Sequence, residues 1–399
     1  MNRRYYTDSY TSVFTARVVE AATLEDGPAV VLDETFFYPT SGGQPHDTGM
    51  LDRARVGDVR IRESDGAVLH RLDAPLGEGP VQGIIDWSRR MDHMQQHTGQ
   101  HILSAAFMKA AGAPTIGFHL GDDYVSIDLA ARELDEARAA EAEELANAVV
   151  RTDLQVRAWF PSPDELATIP LRKAPEVDGD LRVVAIGEFD YSACGGTHVA
   201  RTGEVGPIKL LRTERLTRGT RVSFLSGDRA RADYARKHAI VRSLAGSLTC
   251  APEEIGEAVA RLESALQDAR REAALWKAAA LDAEAVRMES GAAAFGGVRV
   301  VVAAFEGRAA DEVRELALKL TERDGLIVLL GTTGARTQLV FARSENVTRD
   351  LKPLLDRALA ELGGGRGGGA RVVQGGAGPA DFARLTAALE AARAMLRPE

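Results

Sequence analysis

The sequence predicts a multidomain α+β protein: a small N-terminal β-barrel, an α+β domain, a long coiled-coil-like helix and a C-terminal α/β domain. Three observations support this. Short β-rich runs separated by Gly, Pro and Asp fill the first 88 residues. Apolar residues then change to helical spacing near Trp87, and a heptad pattern covers residues 252–288. The predicted domains are residues 1–88, 89–240, 241–290 and 291–399.

The barrel prediction depends on β-rich runs that lie between turn-forming residues. Strands this short, at such close spacing, are typical of a small barrel or sandwich. The runs are residues 13–19, 29–32, 56–61, 67–72 and 81–85.

The middle block begins with a predicted helix over residues 89–111, because Met91, Met94 and Ile102 recur at helical spacing. A second helix, rich in Ala and Glu, is predicted over residues 134–151. Strands and helices in one block indicate an α+β domain. The predicted strands are residues 155–160, 182–186 and 208–211.

Apolar residues between 252 and 288 recur in alternating steps of four and three, which is the seam of a long heptad helix. Pro252 occupies a position that suits the start of a helix, and Gly291 follows the last turn. The seam pairs with another helix of this chain or with a second subunit, and the pattern leaves both open. Its residues are Ile255, Val259, Leu262, Leu266, Ala269, Ala273, Trp276 and Ala280.

The last block alternates apolar, buried-type strands with helices, which predicts an α/β domain. Glycines crowd residues 363–369. They form a flexible linker, or a loop whose amides contact an RNA backbone together with Arg366 or Arg371. The predicted strands are residues 298–304, 326–330 and 337–342, and the predicted helices are 309–322, 349–362 and 379–396.

Composition excludes several classes of protein. The 399 residues contain no run near the ~20 apolar residues that a membrane helix needs, and the N-terminus has no signal-peptide pattern. The two cysteines, Cys194 and Cys250, lie too far apart in sequence to form a disulfide framework. We therefore expect a cytoplasmic protein with no membrane partner.

A formal net charge of −9 argues against a protein that simply coats nucleic acid, yet one stretch is basic. Ten cations between residues 201 and 237 face few acidic residues. They form either a salt-bridged surface or a phosphate-binding face, and the sequence favours neither. They are Arg201, Lys209, Arg212, Arg215, Arg218, Arg221, Arg229, Arg231, Arg236 and Lys237.

Two pairs of side chains have a spacing that suits one metal ion. His97 and His101 lie at i and i+4 on a predicted helix, so both imidazoles face the same side. Cys194 and His198 are also four residues apart, and the two glycines between them let the chain fold tightly around a small ion. Three imidazoles and one thiolate suit a single tetrahedral Zn²⁺ per chain.

The residues between His97 and His101 argue against metalloprotease activity. They are Thr, Gly and Gln, whereas a metalloprotease of the HExxH type needs a glutamate there. A closed four-ligand site would be structural, and a catalytic site needs a position for water or substrate. His93, one turn before His97, is a surface residue, a group behind the metal ligands or an RNA contact.

A segment rich in Gly and hydroxyl groups, residues 36–49, admits two interpretations. One is an ordinary Gly/Pro turn between two strands. The other is a ligand-binding loop, because Thr40, Ser41 and Gln44 surround two glycines whose amides suit an oxygen-rich ligand.

Together these patterns resemble the editing region of alanyl-tRNA synthetase and the long form of the free-standing alanyl-tRNA editing proteins. The resemblance covers roughly residues 1–235, and the heptad helix and glycine-rich block more loosely resemble the DHH-associated C-terminal domain of the synthetase. No room precedes it for an aminoacylation domain, so we expect a free-standing protein. It is carried by residues 37–49, the His97/His101 pair, residues 194–198, 203–206 and 219–222.

The resemblance implies a fold of the threonyl/alanyl-tRNA synthetase second-additional-domain type in residues 89–240. It implies a Zn²⁺ site and hydrolysis of the ester between serine, or also glycine, and the alanine tRNA. Gln44 would help to position the substrate, and Thr115, followed by Gly117 and His119, would line the pocket and accept the hydroxyl of serine. The metal ligands would be His97, His101, Cys194 and His198.

The resemblance also implies partners and rivals. The partner would be alanine tRNA mischarged with serine or glycine. The heptad seam, rather than the resemblance, adds the alternative of a homodimer through the 252–288 helix or the C-terminal domain. The nearest rival is editing of serine on the threonine tRNA, which uses a similar metal constellation. A more distant rival is a zinc-stapled RNA-binding module that hydrolyses nothing, because a closed metal site is enough for it.

Overall fold

The computed structural model describes residues 2–173, 181–295 and 297–396. The chain divides into two compact units, Met1–Ser247 and Leu248–Glu399. Within the described ranges, no helix has the length and apolar content that crossing a lipid bilayer requires.

The first unit contains the N-terminal strands and the first helices. Its helices are α1 (Trp87–Ala111), α2 (Glu136–Thr152) and α3 (Pro163–Thr168), and α4 (Gly227–Leu248) begins in it. Its strands are β1 (Asn2–Arg3), β2 (Val13–Leu24), β3 (Gly27–Leu32), β4 (Glu34–Thr35), β5 (Gly49–Leu51), β6 (Ala54–Ile61), β7 (Val68–Leu72), β8 (Gly79–Ile85), β9 (Thr115–Leu120), β10 (Val125–Leu129), β11 (Val156–Trp159), β12 (Val183–Ile186), β13 (Asp190–Ala193), β14 (Ile208–Leu216) and β15 (Gly219–Ser226).

The predicted N-terminal barrel is confirmed. Six strands close it in the order β2-β3-β7-β6-β5-β8. Residues of β2 alternate between exposed and buried, so Phe14, Ala16 and Val18 point into the barrel core. All five predicted runs are strands, and the sixth, β5, is only three residues long and escaped prediction.

Helix α1 is the centre of the first unit. The Asp86 side chain caps it by accepting a hydrogen bond from the amide of Arg89, and Gly112 ends it in the left-handed conformation at φ 59°. Of its 25 residues, 16 are buried, so it is a core helix rather than a surface one. Polar side chains on α1 are therefore enclosed and need partners inside the protein.

Two small antiparallel sheets accompany α1. One has the strand order β14-β15-β10-β9 and the other β11-β12-β13. The predicted strands at residues 155–160, 182–186 and 208–211 are confirmed as β11, β12 and the start of β14. Strands β9, β10, β13 and β15 and helix α4 were not predicted, because short runs that include Gly, Asp or Ser carry a weak periodic signal.

The second unit contains one six-stranded sheet with the order β16-β17-β18-β19-β21-β20. Only β17 and β18 are parallel, so the sheet is mixed rather than the parallel sheet of a typical α/β domain. The elements are α5 (Ile255–Ser290), β16 (Ala293–Phe295), β17 (Val298–Glu306), α6 (Ala310–Thr321), β18 (Leu326–Thr333), β19 (Thr337–Arg343), α7 (Lys352–Glu361), β20 (Gly365–Gly368), β21 (Val372–Ala377) and α8 (Phe382–Ala394).

The glycine-rich segment is neither a linker nor a loop in its central part, because Gly365–Gly368 form β20 and pair with β21. A Cβ on Gly367 would lie 2.3 Å from the carbonyl oxygen of Gln374. Glycine is required there by the close approach of the two backbones.

The long helix predicted from the heptads is confirmed as α5, but a coiled coil is not. Its seam residues Leu262, Leu266 and Trp276 are 57%, 51% and 69% exposed. Towards the C-terminus of α5, Leu281 and Ala285, which lie outside the heptad seam, enter an apolar core together with residues of α6.

A buried ion pair joins the barrel segment to α1. The side chains of Arg90 and Asp47 are fully buried and contact each other directly. Arg90 also donates to the carbonyl oxygens of Ser9 and Phe36, at 2.8 and 2.5 Å. Asp47 accepts from the amide of Tyr38 at 2.6 Å. Both charges are thus satisfied by several hydrogen bonds, which a buried pair requires.

Replacing Asp47 by Asn should destabilise the first unit by about 3–5 kcal/mol, because Arg90 would stay buried without a counter-charge. The measurement is urea unfolding followed by tryptophan fluorescence. The matched control is Glu144→Gln, which removes an ion pair with Arg151 in which both side chains are exposed and should change stability by less than about 1 kcal/mol. Equal effects of the two substitutions would contradict this role of the buried pair.

Candidate metal centre

The structure brings the four predicted metal ligands together. His97 and His101 project from α1, and Cys194 and His198 lie on the loop that follows β13. One ligand atom from each residue lies within 4.8 Å of the others. The Sγ atom of Cys194 is 3.4 Å from Nε2 of His97 and 3.3 Å from Nε2 of His198.

These separations fit a small tetrahedral ion. Metal–ligand bonds of about 2.0–2.3 Å place tetrahedral zinc ligands about 3.3–3.8 Å apart. Three nitrogens and one sulfur are also a donor set that zinc prefers. The residues present therefore fit the cofactor that the sequence predicts.

Gln44 orients His97 from behind. Its Oε1 accepts from Nδ1 of His97 at 2.8 Å and from the amide of Thr197 at 3.1 Å. Its Nε2 donates to the hydroxyl of Thr197 at 2.8 Å. Because Nδ1 of His97 then carries the proton, Nε2 offers its lone pair to the centre of the site.

The other two imidazoles also have polar partners on their outer nitrogens. Nδ1 of His198 is 3.0 Å from the hydroxyl of Thr98. Nδ1 of His101 is 3.4 Å from a carboxylate oxygen of Asp190, whose other oxygen lies 2.9 Å from Nε of Arg172. Sequence analysis missed Asp190, and no local spacing could have indicated it.

The segment of residues 36–49 contains a tight turn. Ser41 and Gln44 exchange both backbone hydrogen bonds, and Gly42 and Gly43 between them have φ values of 55° and 84°. Two consecutive residues with positive φ favour glycine strongly. The segment therefore contains a turn, which directs the Gln44 side chain to His97. Gly42 also lines the cavity described below, so ligand binding by this segment stays a prediction.

A guanidinium group holds the loop of Cys194. Arg182, which is almost fully buried, donates to the carbonyl oxygens of Tyr6, Cys194 and Gly196 at 2.8–2.9 Å. Gly196 cannot carry a side chain, because a Cβ would lie 2.2 Å from Cε1 of His97. Its amide also points at the sulfur of Cys194, 3.3 Å away.

The electrostatics of the site favour a thiolate. Burial would raise the pKa of Cys194, but the three neighbouring imidazoles hold this pKa well below its ordinary value. Burial would lower the pKa of His101, yet Cys194 and Asp190 raise it to about 9. The pKa of His198 falls to about 3, mainly because of burial. The thiolate is the form of cysteine that binds metals.

A cavity opens beside the four ligands, and one of its walls is polar. Thr115, at the start of β9, lines it, and its hydroxyl oxygen lies 2.8 Å from that of Ser104. Gln100 also lines the cavity and donates to the same Ser104 oxygen at 2.8 Å. Gly117 is part of the lining, as predicted, whereas His119 is exposed and lies outside it.

His93 and Cys250, whose roles the sequence did not decide, are not among the four clustered candidate ligands. His93 is 1% exposed, so it is not a surface residue, and its Nδ1 has no hydrogen-bond partner among the described residues. Burial lowers its pKa to about 4. Cys250 is half-buried and is not one of the four clustered ligands.

The basic stretch is largely neutralised. Eight of its ten cations form ion pairs with carboxylates, so only Arg215 and Arg218 have no ion pair among the described residues. This arrangement favours a salt-bridged surface over a continuous phosphate-binding face. The paired cations are Arg201, Lys209, Arg212, Arg221, Arg229, Arg231, Arg236 and Lys237.

Comparison with known proteins identifies relatives that align with almost the whole chain. Residues 181–223 match the family described as the threonyl and alanyl tRNA synthetase second additional domain. The alanyl-tRNA editing protein AlaX-L of Pyrococcus horikoshii is 31% identical over 396 residues, which cover 94% of both chains.

Two alanine–tRNA ligases are also similar. That of Pyrococcus furiosus is 34% identical over 83% of this chain, and that of Pyrococcus abyssi is 31% identical over 93%. The aligned regions cover only 37% and 41% of these ligases. The C-Ala domain of Aquifex aeolicus alanyl-tRNA synthetase is 22% identical over 27% of the chain, with a TM-score of 0.24 that is too low to establish a shared fold.

Replacing Asp190 by Asn should lower zinc affinity about 10- to 100-fold, because a weaker acceptor would hold the ring of His101. Competition with a chelator of known affinity measures the effect. Glu188→Gln, at an exposed position two residues away, is the control and should leave zinc affinity unchanged. An unaltered affinity in the Asp190 variant would show that the carboxylate does not support the site.

Proposed function

The chain belongs to the family of alanyl-tRNA editing proteins, and we propose that it hydrolyses the ester that joins serine to the terminal adenosine of the alanine tRNA. The AlaX-L relative, which aligns over nearly its full length, supports an aminoacyl-tRNA deacylase. The four clustered ligands support zinc as its cofactor, with one ion per chain.

One observation carries the proposal: three of the four clustered ligands, His97, His101 and Cys194, line a cavity that has a polar wall on one side. Serine is larger than alanine, so a site that removes serine and spares alanine cannot select by excluding bulk. It has to favour the hydroxyl group through a hydrogen bond that alanine cannot make. Thr115 is suited to this role, because its hydroxyl retains capacity for a second hydrogen bond beyond the one with Ser104.

Gln44 acts in this proposal by positioning. It is fully buried and bonded to His97 and Thr197, so it holds a metal ligand in place rather than contacting substrate. Thr98 and Asp190 do the same for His198 and His101. Bound zinc would supply a Lewis acid that polarises oxygen atoms near it.

The reaction needs a water molecule whose oxygen attacks the ester carbonyl carbon. The bond from that carbon to the ribose oxygen breaks, the ribose oxygen takes up a proton, and serine leaves as the free acid. No carboxylate lines the cavity within the described residues, so the chain offers no evident general base there. We assign the activation of water to the free hydroxyl of the terminal ribose.

The same proposal includes further contacts with the tRNA and with a second copy of the chain. Arg172 and Lys173 both line the cavity, and although Arg172 pairs with Asp190, the cationic character of this wall suits the end of an RNA chain. In the second unit, Arg336 and Arg366 line a glycine-rich groove that we propose as a further contact with the tRNA backbone. The exposed seam of α5 supports a homodimer through that helix, and the proposed site of action is the cytoplasm.

The deciding experiment measures deacylation of alanine tRNA charged with serine, glycine or alanine, with and without a zinc chelator. We expect rapid loss of serine that the chelator abolishes, and alanine should remain. Cys194→Ala should lower the rate by at least about 100-fold, and Cys250→Ala should leave it unchanged, because only Cys194 belongs to the metal group.

Three other outcomes would overturn the proposal. Faster hydrolysis of serine-charged threonine tRNA would favour the sister editing activity. Intact tRNA binding without hydrolysis would favour a zinc-stapled RNA-binding module. A fully active Cys194→Ala variant would remove the zinc assignment.

Replacing Thr115 by Val should slow serine release about 5- to 100-fold, because the hydroxyl partner is lost while the volume is kept. Zinc content should not change, since Thr115 bonds no metal ligand in this structure. Side-by-side rates on serine- and glycine-charged tRNA measure the effect, with the exposed Thr213→Val as control. An equal loss on both substrates would argue against recognition of the serine hydroxyl.

A further inference from the structure

An exposed aromatic ring lies beside the metal-binding loop without a role in the site described so far. Phe160 follows β11 and is 44% exposed, so packing alone does not account for it. Its ring contacts Tyr6 edge-to-face, with the ring centres 6.0 Å apart and the planes at 80°. A single exposed phenylalanine is common on protein surfaces and by itself indicates no function. The residues around Phe160 are what suggest a binding role.

Sheet register fixes the distance from Phe160 to the metal ligands. The last residue of β11 pairs with the first of β12, which pairs in turn with the last residue of β13. Phe160, Arg182 and Cys194 are the next residues beyond these, so they form one row across the end of the sheet. The amide of Cys194 donates to the carbonyl of Arg182 at 3.0 Å. Two strand spacings place the backbone of Phe160 about 10 Å from that of Cys194.

Tyr6 lies between the exposed ring of Phe160 and the loop of Cys194. A Cβ on Gly195 would lie 3.6 Å from Cε1 of Tyr6, so the tyrosine ring is in van der Waals contact with this loop. The guanidinium of Arg182 lies 5.6 Å from the centre of the Tyr6 ring, and that of Arg3 donates to its hydroxyl at 3.4 Å. Aromatic faces and cations beside a hydrolytic centre are the features with which proteins hold unpaired nucleotides.

We propose that Phe160, supported by Tyr6, is a stacking site for the terminal adenine of the tRNA whose ester lies at the metal centre. The proposal rests on the proposed function, since that function puts a single-stranded 3′ end in the cavity. The terminal adenine is attached to the same ribose as the scissile ester, so it lies close to the metal centre, on the scale of the roughly 10 Å between the backbones of Cys194 and Phe160. The edge-to-face contact with Tyr6 covers at most one face of Phe160, and the 44% exposure of the side chain provides surface for the base.

The test uses uncharged alanine tRNA with 2-aminopurine in place of the terminal adenine, because stacking quenches the fluorescence of this base. Wild-type protein should quench the probe. Phe160→Leu keeps an apolar side chain and removes the aromatic face, so it should abolish quenching and weaken tRNA binding about 5- to 100-fold. Phe160→Trp should retain both. Phe382→Leu is the matched control, because Phe382 is 46% exposed in the second unit.

Hydrolysis provides an independent readout. With serine-charged tRNA, Phe160→Leu should raise KM with zinc content unchanged, because Phe160 contacts no metal ligand in the pairs described. Normal quenching and normal KM in this variant would overturn the stacking site even where wild-type protein hydrolyses the ester. Quenching without any hydrolysis by wild-type protein would overturn the proposed function and leave the stacking site supported. If Phe382→Leu weakened tRNA binding as much as Phe160→Leu does, this would also contradict a specific stacking role for Phe160.

Discussion

The candidate metal site depends on the buried ion pair between Arg90 and Asp47, which joins the two segments that supply His97 and Gln44. Asp47 lies three residues after Gln44, and Arg90 lies two turns before His97 on α1. The pair therefore fixes the glycine turn against the helix, and this brings the amide oxygen of Gln44 to 2.8 Å from His97. If α1 moved along its axis relative to the barrel, one of the two buried charges would lose its partner. The position of α1 against the barrel is therefore strongly specified.

Enclosure of α1 explains why so many polar side chains surround the ligands. A helix buried on most of its faces shields its polar groups from water, so these groups are stabilised by partners inside the protein, and Nδ1 of His93 is an exception among the described residues. The outer nitrogens of the three imidazoles meet an amide, a hydroxyl and a carboxylate, respectively. Each partner fixes a ring orientation, and the inner nitrogens converge with the sulfur of Cys194.

The cavity combines this fixed centre with a different kind of surface on each side. Helix α1 contributes Gln100 next to the ligands, and β9 contributes Thr115 opposite, with Ser104 bridging them. Beyond the loop of Cys194 stand Tyr6 and Phe160. A polar wall beside the candidate ligands and aromatic rings beyond the loop of Cys194 suit the two parts of the proposed substrate, the amino acid and the base.

Local patterns in the sequence were sufficient for five of the six barrel strands, the long helix and the two pairs of candidate metal ligands, because alternation and i, i+4 spacing determine which side chains share a face. The preference for His97 and His101 over His93 came from the family resemblance. They were insufficient for Asp190, Ser104 and the strand β20. Asp190 meets His101 across 89 residues of chain and Gln44 meets His97 across 53. Such contacts depend on how sheets and helices pack, and the spacing of residues along the chain carries no record of that packing.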